Sequence, residues 1–186
     1  GSRWDHSSKW NLELKNIQDG SVIDPMLSLA NLDDSQLLEV NFPYFGNVKQ
    51  EHFAATTHES ILKHQVPARK LILDNQEVWV TTVYDLFLAN YGVERGFNDS
   101  NCAKDYTENL PYSPAWQEKI TGVNAKAVID LARQFADNAN KTQGRSMIIV
   151  GAGLNHWYNM DMTYRAIINL LVMCGCVGKS GGGWCH

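Results

Sequence analysis

Two glycine clusters, Gly151-Ala152-Gly153 and Gly181-Gly182-Gly183, flank an apolar stretch near the end of the chain. Asn155, His156 and Trp157 follow the first and offer an amide, an imidazole and an indole N–H. Gly178, Lys179 and Ser180 precede the second. Glycine lets the backbone approach a ligand where a Cβ would intervene. Backbone N–H groups at the opening of a helix, together with its positive end, attract phosphate. This set suits a bulky anionic ligand carrying a polar heterocycle. The candidate ligand-binding residues are Gly151, Gly153, Asn155, His156, Trp157, Gly181, Gly182 and Gly183. No side chain is assigned as a catalytic acid, catalytic base or metal ligand.

Each feature also has a structural explanation. Asn155 suits a helix N-cap, and a single histidine is more often a satisfied core residue than a ligand. Gly151-Ala152-Gly153 resembles the start of a dinucleotide fingerprint, but His156 stands at the third glycine position. The acid expected about 20 residues further on is replaced by Leu170, Leu171 and Val172, so specific nicotinamide binding is not expected. Gly178-Lys179-Ser180 lacks the first glycine of a Walker A loop, because position 173 is Met173. Cys174-Gly175-Cys176 has no matching second pair, so buried small side chains are the expected role rather than metal binding.

The elements that hold these residues follow from local pattern. Residues 147–150 are apolar and predict a buried strand. Residues 157–173 predict a helix, with Met160, Tyr164, Ile167, Ile168 and Leu171 on one side. A strand, loop, helix and loop in that order predict an α/β unit on a mostly parallel sheet. Further upstream, residues 70–73 and 78–82 predict a β-hairpin turning at Asp74-Asn75. Thr82 and Asp85 fit a capping box; the helix it opens is expected to turn Val83, Leu86, Phe87 and Asn90 to one face and to stop at Gly92. Ser113-Pro114 predicts the N-cap and first residue of a short helix ending near Gly122. Asn124 predicts the cap of another, with Ala127, Val128, Leu131, Ala132, Phe135 and Ala136 at helical spacing. Residues 1–66 are weakly periodic, carry Trp4, Trp10 and the cluster Phe42-Pro43-Tyr44-Phe45, and predict only short helical turns, for example over 34–40. The expected division is an irregular, aromatic-anchored extension at 1–66 and a partial α/β cofactor-binding region at 67–186.

Composition sets the outer bounds. The 186 residues are 44% hydrophobic and 19% charged, ordinary values for a globular chain. Sixteen basic against twenty acidic residues give a net charge of −4, which argues against nucleic acid as the main partner. The longest nearly apolar run, 166–177, contains Asn169 and is too short to span a bilayer, and no secretory signal pattern opens the sequence. Four cysteines, Cys102, Cys174, Cys176 and Cys185, are too sparse for a disulfide framework and read as reduced thiols. The Gly181-Gly182-Gly183-Trp184-Cys185-His186 ending reads as a loop cut open, so an internal piece of a longer polypeptide is expected.

The order of these words carries a resemblance. A strand, then Gly151-Ala-Gly-Leu-Asn-His-Trp157, an apolar helix and Cys174-Gly-Cys-Val-Gly-Lys-Ser-Gly-Gly-Gly-Trp184 resembles the molybdopterin oxidoreductases of the dimethyl sulfoxide reductase family. Gln65-Val-Pro-Ala-Arg-Lys70, Thr82-Val-Tyr-Asp-Leu86, Ala89-Asn-Tyr-Gly92, Phe135-Ala-Asp-Asn138 and Gly144-Arg-Ser-Met147 are similar, in the same order, to the catalytic α subunits of its membrane-bound respiratory nitrate reductase branch. The resemblance implies an intact subunit that holds molybdenum between two molybdopterin guanine dinucleotides, with a 4Fe-4S cluster whose ligands lie outside this piece. It implies reduction of nitrate to nitrite by oxygen-atom transfer, with electrons from quinol delivered through an iron–sulfur β subunit and a haem-containing membrane γ subunit. It places the enzyme at the membrane through those partners, on the cytoplasmic face. Nitrite oxidation, reduction of another oxyanion, or a non-catalytic assembly module built on a degenerate fold are the alternatives. The 186 residues alone are expected to be inactive. Gly182→Val is expected to obstruct cofactor insertion more than it lowers fold stability.

Overall fold

A computed structural model describes residues 27–44 and 60–186. Trp4, Trp10 and Phe45 lie outside the described residues. The chain divides into two compact units, Gly1–Asp99 and Ser100–His186.

The first unit holds an antiparallel three-stranded sheet of order β1-β2-β3 and one helix. β1 is Gln36–Tyr44, β2 is Ser60–Leu73 and β3 is Gln76–Val80. The predicted hairpin is present: Asp74 and Asn75 both take positive φ, 51° and 63°, the shape that lets a two-residue turn follow the twist of its strands. The helical turn expected over 34–40 is instead strand β1, and β2 runs back from the hairpin through position 66 to Ser60. Burial explains the miss. His64, Val66 and Ala68 alternate onto one face and are all buried, but the polar residues between and among them hide that period. His64 is tolerated inside because its Nδ1 lies 2.9 Å from Asp99 Oδ2, and Asp99 also accepts from the Gln65 N–H at 2.9 Å. Pro67, which lacks a ladder donor, sits opposite Leu37 of β1 and ahead of Arg69, where the pairing with β3 begins. One side of the strand is unpaired there, so no ladder bond is lost to β3.

α1, Val83–Asn90, starts at the predicted cap: Thr82 Oγ1 accepts from Asp85 N at 3.0 Å. Its inward face differs from the predicted one. Asp85, Leu88 and Ala89 are buried, whereas Val83 is 84% exposed. Asp85 is the reason. Its carboxylate accepts from Ser28 Oγ (2.6 Å), Leu29 N (2.9 Å), Thr82 Oγ1 (2.8 Å) and Arg95 Nη1 (2.7 Å). Burial pushes this carboxyl up, but the Ser28, Leu29, Thr82 and Arg95 donors outweigh it and hold Asp85 below the usual carboxylate range. The helix turns toward its polar anchor, and Arg95 covers the cluster while stacking on Phe97 at 4.6 Å.

The second unit is α2 (Pro114–Thr121), α3 (Ala125–Lys141), β4 (Met147–Ile149), α4 (Met160–Met173) and β5 (Gly183–Cys185), with a 3-10 helix at Ala152–His156. Ser113 and Asn124 cap α2 and α3 as expected, accepting from Trp116 N at 3.1 Å and Ala127 N at 3.3 Å, and Gly122 closes α2 with φ of 72°. Ala139, Leu171 and Cys176 form the buried centre, with Phe135, Ile148, Cys174 and Trp184 packed around it. β4 and β5 pair in parallel, Met147 with Gly183 through Ile149 with Cys185. The parallel arrangement is thus confined to this short pair, while the larger sheet is antiparallel. β4 is also less buried than expected. Side chains alternate faces along a strand, so Ile148 packs into the core while Met147 and Ile149 turn outward, 45% and 77% exposed.

Candidate functional site

The predicted ligand-binding residues all lie in the second unit, at the two ends of the β4–β5 pair. Val150 ends the strand by donating to Cys185 O at 2.8 Å, and Gly151 opens the 3-10 helix. α4 starts only at Met160, three residues later than the expected helix start at Trp157, with Asn159 at its N-cap. Asn155 is therefore not a helix cap. It sits inside the 3-10 helix, where its side chain reaches His186 (Nδ2 to Nε2, 3.4 Å). Gly151, Gly153, Asn155, His156 and Trp157 are all exposed, Trp157 by 74%.

Around Gly151 and Gly153 the backbone is open: an added Cβ at either would meet nothing within 4 Å. The N–H groups of Ala152 and Gly153 make no hydrogen bond among the described residues, as expected for the first residues of a helix. This end of the strand pair therefore offers bare amide donors, an amide, an imidazole and an indole to solvent.

The second glycine cluster has a different setting. Gly183 is the first residue of β5 and pairs with Met147, the first of β4, so this turn lies at the amino end of the pair, roughly 10 Å from the first at 3.3 Å per residue. Two of its three amides are occupied. Gly182 N donates to Lys179 O at 3.0 Å and Gly183 N to Ser146 O at 3.0 Å. A Cβ on Gly182 would run into Gly144 O and reach 2.8 Å from Cys176 O. Gly144 is equally confined: its φ is +95°, and its Cβ would strike Gly175 O. Three turns, those after α3, after α4 and before β5, meet here through bare backbone. This reverses the expectation for Gly182→Val, because the side chain would collide with the fold itself. Beside the turn lies an open groove of about 460 Å³, lined by Ile168, Leu171, Val177, Lys179, Gly183 and Trp184 among others. It presents one cation and an apolar floor.

Cys174 and Cys176 pack at the core of the second unit. Cys176 is fully buried and its thiol donates to Cys174 O at 3.5 Å. Burial, followed by the neighbouring Cys176, pushes the Cys174 thiol up, which keeps it protonated and a poor ligand or nucleophile.

His186 was not among the predicted residues. Its Nε2 lies 3.1 Å from Tyr164 Oη as well as 3.4 Å from the Asn155 amide, and the Tyr164 ring packs at a tilt against Trp184, centroids 5.0 Å apart. The available signal was topological: in parallel sheets ligands bind beyond the carboxyl ends of the strands, and His186 directly follows β5.

These features fit a dinucleotide-type cofactor: an uncluttered backbone turn with free amides, polar side chains for a heterocycle, and a groove with a lysine. Among the described residues no helix is long and apolar enough to cross a membrane. Comparison with known proteins places the chain. It is 55% identical over its whole length to the respiratory nitrate reductase 1 alpha chain of Escherichia coli (strain K12), 52% to the respiratory nitrate reductase 2 alpha chain of the same strain, and 45% to the nitrate reductase alpha chain of Bacillus subtilis (strain 168). It spans only 15%, 15% and 14% of those relatives' lengths. The model of the molybdopterin oxidoreductase family matches residues 27–186. The chain therefore belongs to the molybdopterin oxidoreductase family.

Proposed function

We propose that this chain is part of the catalytic α subunit of a respiratory nitrate reductase and that its second unit helps to seat a molybdenum bis(molybdopterin guanine dinucleotide) cofactor. The observation that carries the reading is 55% identity, sustained over the whole chain, to an alpha chain of that name. When bound, the cofactor supplies the redox chemistry that removes an oxygen atom from nitrate and leaves nitrite, two electrons and two protons accounting for the water formed. The protein's part is position and electrostatics. Ala152 and Gly153 donate backbone N–H groups to phosphate or pterin oxygens. Asn155 and His156 add directional hydrogen bonds, and Trp157 offers an indole face and N–H. Gly181, Gly182 and Gly183 would serve by shaping the groove beside them, where Lys179 would meet negative charge on the cofactor. The cofactor-facing residues all fall within 67–186. The 4Fe-4S cluster ligands, the iron–sulfur β subunit, the haem-containing γ subunit and the resulting membrane association belong to the intact enzyme, with quinol as its electron source.

The test is the intact subunit, expressed with its partners in cells lacking nitrate reductase. Purified enzyme is expected to carry molybdenum and pterin guanine dinucleotide and to form nitrite from nitrate with a reduced viologen dye. A loaded enzyme that reduces another oxyanion and leaves nitrate untouched would overturn the substrate assignment.

A further inference from the structure

Resting on that reading, one more residue of the cofactor side is identifiable. A single ring nitrogen, His186 Nε2, faces two groups at once, the Tyr164 hydroxyl at 3.1 Å and the Asn155 Nδ2 at 3.4 Å. The amide nitrogen only donates. Nε2 thus lies within hydrogen-bond reach of both groups and links them. Nδ1 makes no hydrogen bond among the described residues. Tyr164 is itself braced by Trp184 at 5.0 Å, in the strand that His186 follows. The 3-10 helix Ala152–His156 has no side-chain cap hydrogen bond of its own, and the Asn155 contact ties one of its side chains to the end of β5.

We infer that His186 is a positioning residue for the cofactor-facing turn: its imidazole, oriented by Tyr164, fixes the Asn155 amide at the carboxyl end of the β4–β5 pair. Asn155 without this partner is free to rotate, and the turn that offers the Ala152 and Gly153 amides loses its side-chain anchor. His186 acts through Asn155 rather than on the reacting atoms.

The test uses the intact enzyme with three variants. His186→Leu removes the ring nitrogen, Tyr164→Phe removes the hydroxyl but keeps the ring against Trp184, and His186→Gln keeps a side chain able to hydrogen-bond both groups. Cofactor release on warming and the electron paramagnetic resonance signature of the molybdenum centre are the readouts. His186→Leu is expected to release cofactor about tenfold faster, the scale on which outer-shell partners act, with an altered signature. Tyr164→Phe should shift both in the same direction by less, and His186→Gln should restore both. Wild-type retention and signature in His186→Leu would overturn the inference, as would equal damage from leucine and glutamine. Should His186→Leu fail to fold, Tyr164→Phe decides by the same readouts. A wild-type enzyme without molybdenum or pterin would remove the underlying reading as well, and that control is read separately.

Discussion

The Gly151–Gly153 turn and the Gly181–Gly183 turn put the same residue type on either side of α4, yet their surroundings differ. At Gly182 the missing side chain is filled by the carbonyls of Gly144 and Cys176, and the amides of Gly182 and Gly183 are bonded within the chain. At Gly151 and Gly153 the missing side chain faces nothing within 4 Å, and the Ala152 and Gly153 amides make no hydrogen bond among the described residues. In the first case glycine lets three backbone turns pack against one another. In the second no contact among the described residues requires it, and approach by a ligand is the use we propose. A glycine-rich motif therefore does not identify a binding loop until it is known what occupies the space a Cβ would take.

The sharpest way to break this contrast is Gly182→Val. Its branched side chain has no room, and a loss of about 3 kcal/mol or more is expected, read as a lowered midpoint in thermal or denaturant unfolding of the 186-residue chain. Gly144→Ala is next, at about 1–3 kcal/mol, because the added methyl meets the Gly175 carbonyl in a left-handed backbone conformation. Wild-type stability in both variants would mean that the knot of turns is not tight.

Acid sharpens the comparison from another side. The glycine knot is made of backbone, so the Gly182→Val deficit should not change between about pH 7 and pH 5. Asp85 behaves otherwise. Its folded-state carboxyl is held below the ordinary range, so the stability it contributes is present above the unfolded carboxylate pKa and is lost as pH falls through the lower folded value. The deficit of Asp85→Asn should accordingly shrink on acidification below about pH 4. A deficit that stayed constant down to strong acid would refute this assignment.

The smallest effects on stability belong to the open turn. Gly151→Ala and Gly153→Ala should move the unfolding midpoint by no more than about 0.5 kcal/mol, and exposed His156→Ala by as little. In the intact enzyme the same three substitutions are expected to reduce molybdenum content or nitrate turnover. Unchanged loading and turnover in all three would make this turn a surface feature and end the contrast with the knot.

What the sequence determined by itself was local. The Asp74-Asn75 hairpin turn, the Thr82, Ser113 and Asn124 caps and the Gly122 stop are each settled by hydrogen bonds or backbone preferences within a few residues. The order of motif words, from Gln65 to Trp184, was enough for the family. Tertiary structure decided the rest, because the deciding partner lies far along the chain. β1 and the first half of β2 were unreadable as strands because His64 is an inward residue only in the presence of Asp99, 35 positions away. The buried face of α1 is set by Asp85, whose partner Ser28 is 57 positions away. The two glycine clusters were legible as loops, but their placement at opposite ends of a parallel pair was not, nor was the contact between Asn155 and His186, 31 positions apart. Periodicity and capping report the hydrogen bonds a chain makes with its near neighbours; which carbonyl fills the space beside a glycine depends on where distant turns come to rest.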